Sequence, residues 1–236
     1  INNVSLYKEA TKDFYLYRLD PVPFATVGNY IGLIDDQQEY QPFFVNGVNL
    51  GVSIPGTHPG QMAASAEQYR AWLNQMGELG FNAIRVYTLH YPAFYEELAR
   101  YNRQNPSRPI LLFHGVWLDE ELPQADFYTF TEEFDADIEE VIDAVHGNRF
   151  IAERPGRAWG DYTEDVSRWI AGYIIGREVH PYEVIQTNMM NYMHTSFTGQ
   201  AVALAEGSPT EVWFAARLDK VIMYERTTYG VERPVS

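Results

Sequence analysis

Between residues 43 and 230 the chain alternates short apolar runs with capped amphipathic segments, and no other feature of the sequence limits the fold as strongly. Residues 43–52, 81–87, 110–113 and 169–175 are the apolar runs. They are rich in Val, Ile, Phe and Tyr, bounded by Gly and Pro, and too short for helices, which suits strands buried on both faces. The segments between them carry helix signals. Ser65 and Gln68 make a capping-box pair, followed at helical spacing by Tyr69, Trp72, Leu73, Met76 and Leu79, with Gly80 to close. Pro92 opens a second helix with Phe94, Leu98 and Tyr101 on one face. Thr129 and Glu132 are expected to cap a third, whose apolar face is Phe134, Ile138, Val141, Ile142 and Val145, ending at Gly147. Pro181 opens a Met- and Asn-rich helix. Ser208-Pro209-Thr210-Glu211 then caps a last one, marked by Phe214, Leu218, Val221, Ile222 and Glu225 and closed by Gly230. Regular βα alternation implies parallel strands joined by right-handed crossovers, either as an open doubly wound sheet or as a closed barrel. Neither a G-x-G-x-x-G nor a P-loop pattern follows any strand, which disfavours a nucleotide-binding open sheet.

The remainder is less regular. Residues 1–40 lack helical periodicity and read as a small β lead-in, with strands at 14–17 and 30–34 around a Pro-rich 20–23; residues 41–236 form the α/β unit. Residues 148–162, rich in Gly, Arg and Trp, read as irregular. Arg233-Pro234-Val235-Ser236 repeats the Arg-Pro-apolar pattern at 108–110 and reads as the start of a fifth strand.

Composition removes several functions. A net charge of −15 argues against nucleic acid or an anionic membrane surface as partner. No apolar run approaches the roughly 18 residues of a membrane span. The first residues show no signal-peptide pattern, and a mature secreted chain would have lost one. With no cysteine, disulfides and thiolate chemistry are excluded, and the compartment stays open. The 17 Tyr, 13 Phe and 5 Trp make a composition common in sugar-binding proteins, whose aromatic faces stack on sugar rings, while filling the core accounts for most of them.

Chemistry concentrates where apolar runs end. After Gly176 the fourth run delivers Arg177, Glu178 and His180 just before Pro181, the place where α/β folds with parallel strands put their active sites. An ordinary solvated Arg–Glu pair is the alternative. His90 ends the second run, and His114 and Trp117 end the third; loop packing is their alternative. Arg85 faces opposite to Ile84 and Val86, and an inward Arg needs a carboxylate, for which Glu178 is the expected partner. No H-x-H or H-E-x-x-H spacing joins His90, His114 and His180, so no metal and no other cofactor is expected. His58 and Tyr91 are weaker cleft residues, and Asp119-Glu120-Glu121 reads as a solvated loop.

Three stretches resemble one family. Residues 42–49, Pro-Phe-Phe-Val-Asn-Gly-Val-Asn, look like the first barrel strand of the large clan of retaining (β/α)8 glycoside hydrolases that includes β-galactosidases, β-mannanases and cellulases. Residues 79–86, Leu-Gly-Phe-Asn-Ala-Ile-Arg-Val, look like its second strand, and residues 110–115, Ile-Leu-Leu-Phe-His-Gly, like its third. The resemblance implies a TIM-type (β/α)8 barrel of which four βα units, the N-terminal half, are present. It gives Glu178 the general acid/base role, places the nucleophile on a seventh strand beyond residue 236, and makes Arg85 a floor residue and His114 a cleft residue. Asn49, Tyr87, His90, Trp117, Arg177 and His180 join them as sugar contacts. The clan has Asn where this chain has Arg177, which is therefore expected to hold Glu178 or a substrate carboxylate. The implied partner is a carbohydrate, and a polysaccharide-active protein favours an extracellular or periplasmic setting. A non-catalytic carbohydrate-binding barrel is the runner-up reading. A third is an assembly module pairing through open barrel edges, because half a barrel leaves edges that recruit a second copy or the rest of a longer chain.

Overall fold

The computed structural model describes residues 24–35, 37–58 and 60–236, together with the backbone of residues 8–9 and 14–15. The Pro-rich 20–23 and the second half of the strand expected at 14–17 lie outside the described residues. Two short strands, β1 (Lys8–Glu9) and β2 (Phe14–Tyr15), pair antiparallel. Strands β3 (Phe24–Val27), β4 (Tyr30–Ile34) and β5 (Tyr40–Pro42) make a three-stranded antiparallel sheet.

The α/β unit is built on a four-stranded parallel sheet of β6 (Gly47–Leu50), β7 (Ala83–Val86), β8 (Leu111–Val116) and β11 (Ile170–Ile175), in chain order across the sheet. Helix α1 (Ala66–Glu78) joins β6 to β7, and α2 (Pro92–Gln104) joins β7 to β8. Helix α3 (Thr131–Val145) and an antiparallel hairpin, β9 (Arg149–Ile151) with β10 (Gly160–Tyr162), join β8 to β11. Helix α4 (Pro181–Met190), a small hairpin of β12 (Phe197–Thr198) and β13 (Ala203–Leu204), and α5 (Pro209–Tyr229) follow. Beyond α5 the expected fifth strand begins: Tyr173 N–H donates to the Pro234 carbonyl at 3.0 Å, and Val235 bridges Tyr173 in parallel.

Register sorts the side chains onto two faces. Val48, Ile84, Leu112 and Ile170 lie side by side, as do Leu50, Val86, His114 and Tyr173. This is the helix-covered face, because the Tyr95 hydroxyl of α2 meets His114 and Glu225 of α5 meets Tyr173. Phe94, Leu98, Tyr69 and Leu73 close over it, and full burial of such side chains stabilises by about 1.5–3 kcal/mol each. The opposite face carries Asn49, Arg85 and Phe113 in one row; Asn49 is exposed and the other two are half-buried.

Local signals formed as read. Ser65 and Ser208 each cap their helix in a reciprocal box, and Gly80, Gly147 and Gly230 take left-handed conformations at helix ends. Three expectations are corrected. Thr129 does not cap α3. Its hydroxyl donates to the carbonyls of Pro123 (2.9 Å) and Asp126 (2.6 Å) inside a 3-10 turn, so the helix starts at Thr131 behind an uncapped Phe130. Residues 148–162 hold the β9–β10 hairpin rather than irregular chain. Residues 43–46 stay outside the parallel sheet: Phe43 N–H bonds Ile31 at 2.8 Å and continues the small antiparallel sheet instead.

Gly115 packs directly against the backbone at the end of β7. A Cβ there would sit 2.3 Å from the Tyr87 carbonyl oxygen and 2.7 Å from that of Val86. Both are backbone atoms that cannot swing aside. Gly115→Ala is expected to lower stability by about 1–3 kcal/mol through overpacking, read as a lower urea midpoint; an unchanged midpoint would mean that the strands separate freely here.

Candidate functional site

At the C-terminal ends of β6, β7 and β8 lies a cleft of about 840 Å³. Leu50 to Ser53, Tyr87, Thr88, His90, Trp117 and Asp119 to Glu121 line it from the strand ends, and Asp137 and Arg157 close it from α3 and the β9–β10 connection. Tyr87 and Trp117 are the first residues past β7 and β8. Their rings meet edge to face with centroids 6.1 Å apart, and the Arg85 guanidinium lies 4.7 Å from the Tyr87 ring centroid.

Arg85 does not pair with Glu178. No ion pair joins the two, and the buried Arg85 Nε has no hydrogen-bond partner among the described residues. Its guanidinium is held by the Tyr87 face, while Glu178 is exposed beyond the turn at Gly176, whose φ is 85°. Asn49 is the exposed register neighbour of Arg85.

The histidines divide. His114 is fully buried on the helix face and does not line the cleft. Its Nδ1 lies 2.8 Å from the Gly115 carbonyl, which can only accept, so Nδ1 carries the proton and Nε2 accepts from the Tyr95 hydroxyl at 2.7 Å. Burial pushes its pKa down to about 4. His90 is equally buried but does line the cleft; its Nδ1 meets the Tyr69 hydroxyl at 2.8 Å, and burial, then His114, push its pKa down to about 3. His180 caps α4, its Nδ1 accepting from Tyr182 N–H at 3.1 Å.

Arg177 holds a carboxylate, but that of Glu183. The pair is bidentate at 3.0 and 2.6 Å, with both side chains buried. Arg177 also donates to the carbonyls of Leu118 (3.1 Å), Asp119 (3.0 Å) and Glu178 (3.2 Å). It thus ties the loop after β8 to the start of α4, and the Glu178 carboxylate has no partner among the described residues. Burial raises the Glu183 carboxyl, yet Arg177 and the His180 amide outweigh it and hold the pKa below the ordinary value. Glu183 was findable: it stands three residues after His180, the position of the reciprocal cap. Arg177→Lys keeps the charge and loses the fork, and is expected to cost about 1.5–3 kcal/mol in urea unfolding; a neutral result would reduce these contacts to surface geometry.

The acidic run at 119–121, read as solvated loop, lines the cleft. Its signal was the same strand-end position that singled out Trp117. Asp137 was missed because its partner is remote in sequence: Arg157 Nη2 lies 2.5 Å from its Oδ1. Burial raises the Asp137 pKa, and Arg157 opposes that. Among the described residues no cluster of His, Asp and Glu could hold a metal, and no helix is long and apolar enough to cross a membrane. Compared with known proteins, the chain matches no protein-family model and no curated protein.

Proposed function

We propose that this chain is the N-terminal half of a (β/α)8 barrel of the retaining glycoside hydrolase type and that the cleft holds an oligosaccharide. Tyr87 and Trp117 form its aromatic wall, with Asn49 and Arg85 beneath. Chain-order parallel strands with helices over one face support the barrel reading, because singly wound barrels are built that way and need eight such strands to close. The observation that carries the sugar reading is the Tyr87–Trp117 corner, set at the C-terminal strand ends in a cleft of ligand size. Glu178, exposed in the turn after β11 and outside the residues that line the cleft, is the proposed acid/base, and the nucleophile is assigned to the second half of the barrel, since retention needs two carboxyl groups about 5–5.5 Å apart. The open face and the β6 edge are then covered by that half or by a second copy.

Titration of the 236-residue chain with oligosaccharides, read by tryptophan fluorescence or calorimetry, tests binding. Trp117→Ala is expected to weaken it at least tenfold, and an unchanged affinity would remove this wall from the site. In a chain carrying both carboxylates, Glu178→Gln is expected to abolish turnover and spare binding. The non-catalytic reading is favoured by one observation: Arg177, standing where the clan has a sugar-binding Asn, is committed to Glu183.

A further inference from the structure

We propose that the cleft selects a positively charged saccharide, an oligosaccharide of amino-sugar units with protonated amines. The inference rests on the saccharide reading above and adds the charge of the ligand. The lining holds four carboxylates, Asp119, Glu120, Glu121 and Asp137, against one guanidinium, Arg157, which is already taken by Asp137. Asp119, Glu120 and Glu121 are exposed at the rim, with no cationic side chain bound to them among the described residues. Their backbone is nevertheless fixed, because Arg177 grips the Leu118 and Asp119 carbonyls and the Asp119 carboxylate accepts from Glu121 N–H at 3.0 Å. A neutral or anionic sugar would have to desolvate these charges without compensation, whereas an ammonium group pairs with them.

A second feature points to a hydroxylated ligand. His90 lines the cleft with its imidazole fully buried, and Nε2 has no hydrogen-bond partner. With Nδ1 engaged by the Tyr69 hydroxyl, Nε2 is the ring nitrogen left to exchange a hydrogen bond with a sugar hydroxyl. Arg85 covers one face of Tyr87, which leaves Trp117 as the platform for a sugar ring or an ammonium.

The test compares four probes on the intact chain by calorimetry at pH 6 and low salt: a glucosamine tetramer, its fully N-acetylated form, an uncharged glucose tetramer, and tetralysine. The glucosamine tetramer is expected to bind at least tenfold tighter than the other three, and the gap should shrink severalfold at 0.5 M NaCl, where exposed charges are screened. Asp119→Asn, Glu120→Gln and Glu121→Gln together should remove most of that gap. If the triple variant does not fold, the salt dependence of the unaltered chain still decides. Equal or tighter binding of the neutral tetramers overturns the charge selection and leaves a saccharide cleft standing. Tetralysine binding as tightly as the glucosamine tetramer overturns the sugar element. Binding of none of the four removes the saccharide function and this inference with it.

Discussion

Arg233→Met is expected to lower the unfolding free energy by about 3–5 kcal/mol, because it strands a buried carboxylate. Glu225 is 1% exposed on its side chain and Arg233 3%. The same Glu225 oxygen that pairs with Arg233 also accepts from the Tyr173 hydroxyl and from His146 Nε2, each at 2.9 Å. Burial, then the Arg233 charge, push the His146 pKa down to about 4, so at neutral pH both of these donors are uncharged. Arg233 is therefore the one full positive charge on Glu225. It also donates to the carbonyls of Ile170 (3.1 Å) and Ser167 (2.8 Å), which anchors residues 233–236 along β11. Urea unfolding measures the loss, and faster amide exchange at Tyr173 and Ile175 should accompany it, since these N–H groups donate to Pro234 and Ser236. Adding Glu225→Gln to Arg233→Met should recover much of the stability by removing the stranded charge. A loss below about 1 kcal/mol in the single variant would show that Glu225 reaches water or a proton in the folded chain.

Acid is expected to unfold the protein well before ordinary carboxylates titrate. His90, His114 and His146 have folded pKa values of about 3, 4 and 4, all lowered first by burial, against about 6.5 when unfolded. Below pH 6.5 the unfolded chain takes up protons that the folded chain refuses. Their contribution is thus fully present above about pH 6.5 and is lost as the pH falls toward 4 and 3. Each shift is worth on the order of 3 kcal/mol by pH 4, and together they rival the whole stability of a typical domain. Glu183 and Glu97, whose pKa values are lowered in the fold with Arg partners, add losses in the same direction below about pH 4.5. Asp135 and Asp137, raised by burial, act the other way and offset part of this. A cooperative loss of near-UV ellipticity between pH 6 and 4 is expected. His146→Gln should flatten the dependence in that window. A melting temperature constant from pH 7 to 4.5 would show that these histidines protonate without leaving the fold.

The same residues separate what was legible in the sequence from what was not. His114 and Phe113 are adjacent in a strand apolar on both faces, so parity could not say which faced the helices. Only Tyr95, arriving on α2, fixes His114 there. Arg85 was correctly set opposite to Ile84 and Val86, but the identity of its neighbour, Tyr87 rather than Glu178, depended on where the chain turned after Gly176. Arg177 was expected to seek a carboxylate and does; choosing Glu183 required the Pro181 helix to present its first turn toward the strand end.

Helix starts and stops at Ser65, Pro92, Pro181, Ser208, Gly80 and Gly230 were readable because each rests on a bond or a dihedral within a few residues. The order of βα units was readable because apolar periodicity is local too. Thr129 failed as a cap for the complementary reason: its hydroxyl had a second local option, the carbonyls of Pro123 and Asp126, and packing chose between them. The cleft is a tertiary product. Asp119 to Glu121, Asp137 and Arg157 meet only because parallel strands bring their C-terminal ends to one side and the β9–β10 connection folds over them, and no spacing along the chain encodes that meeting.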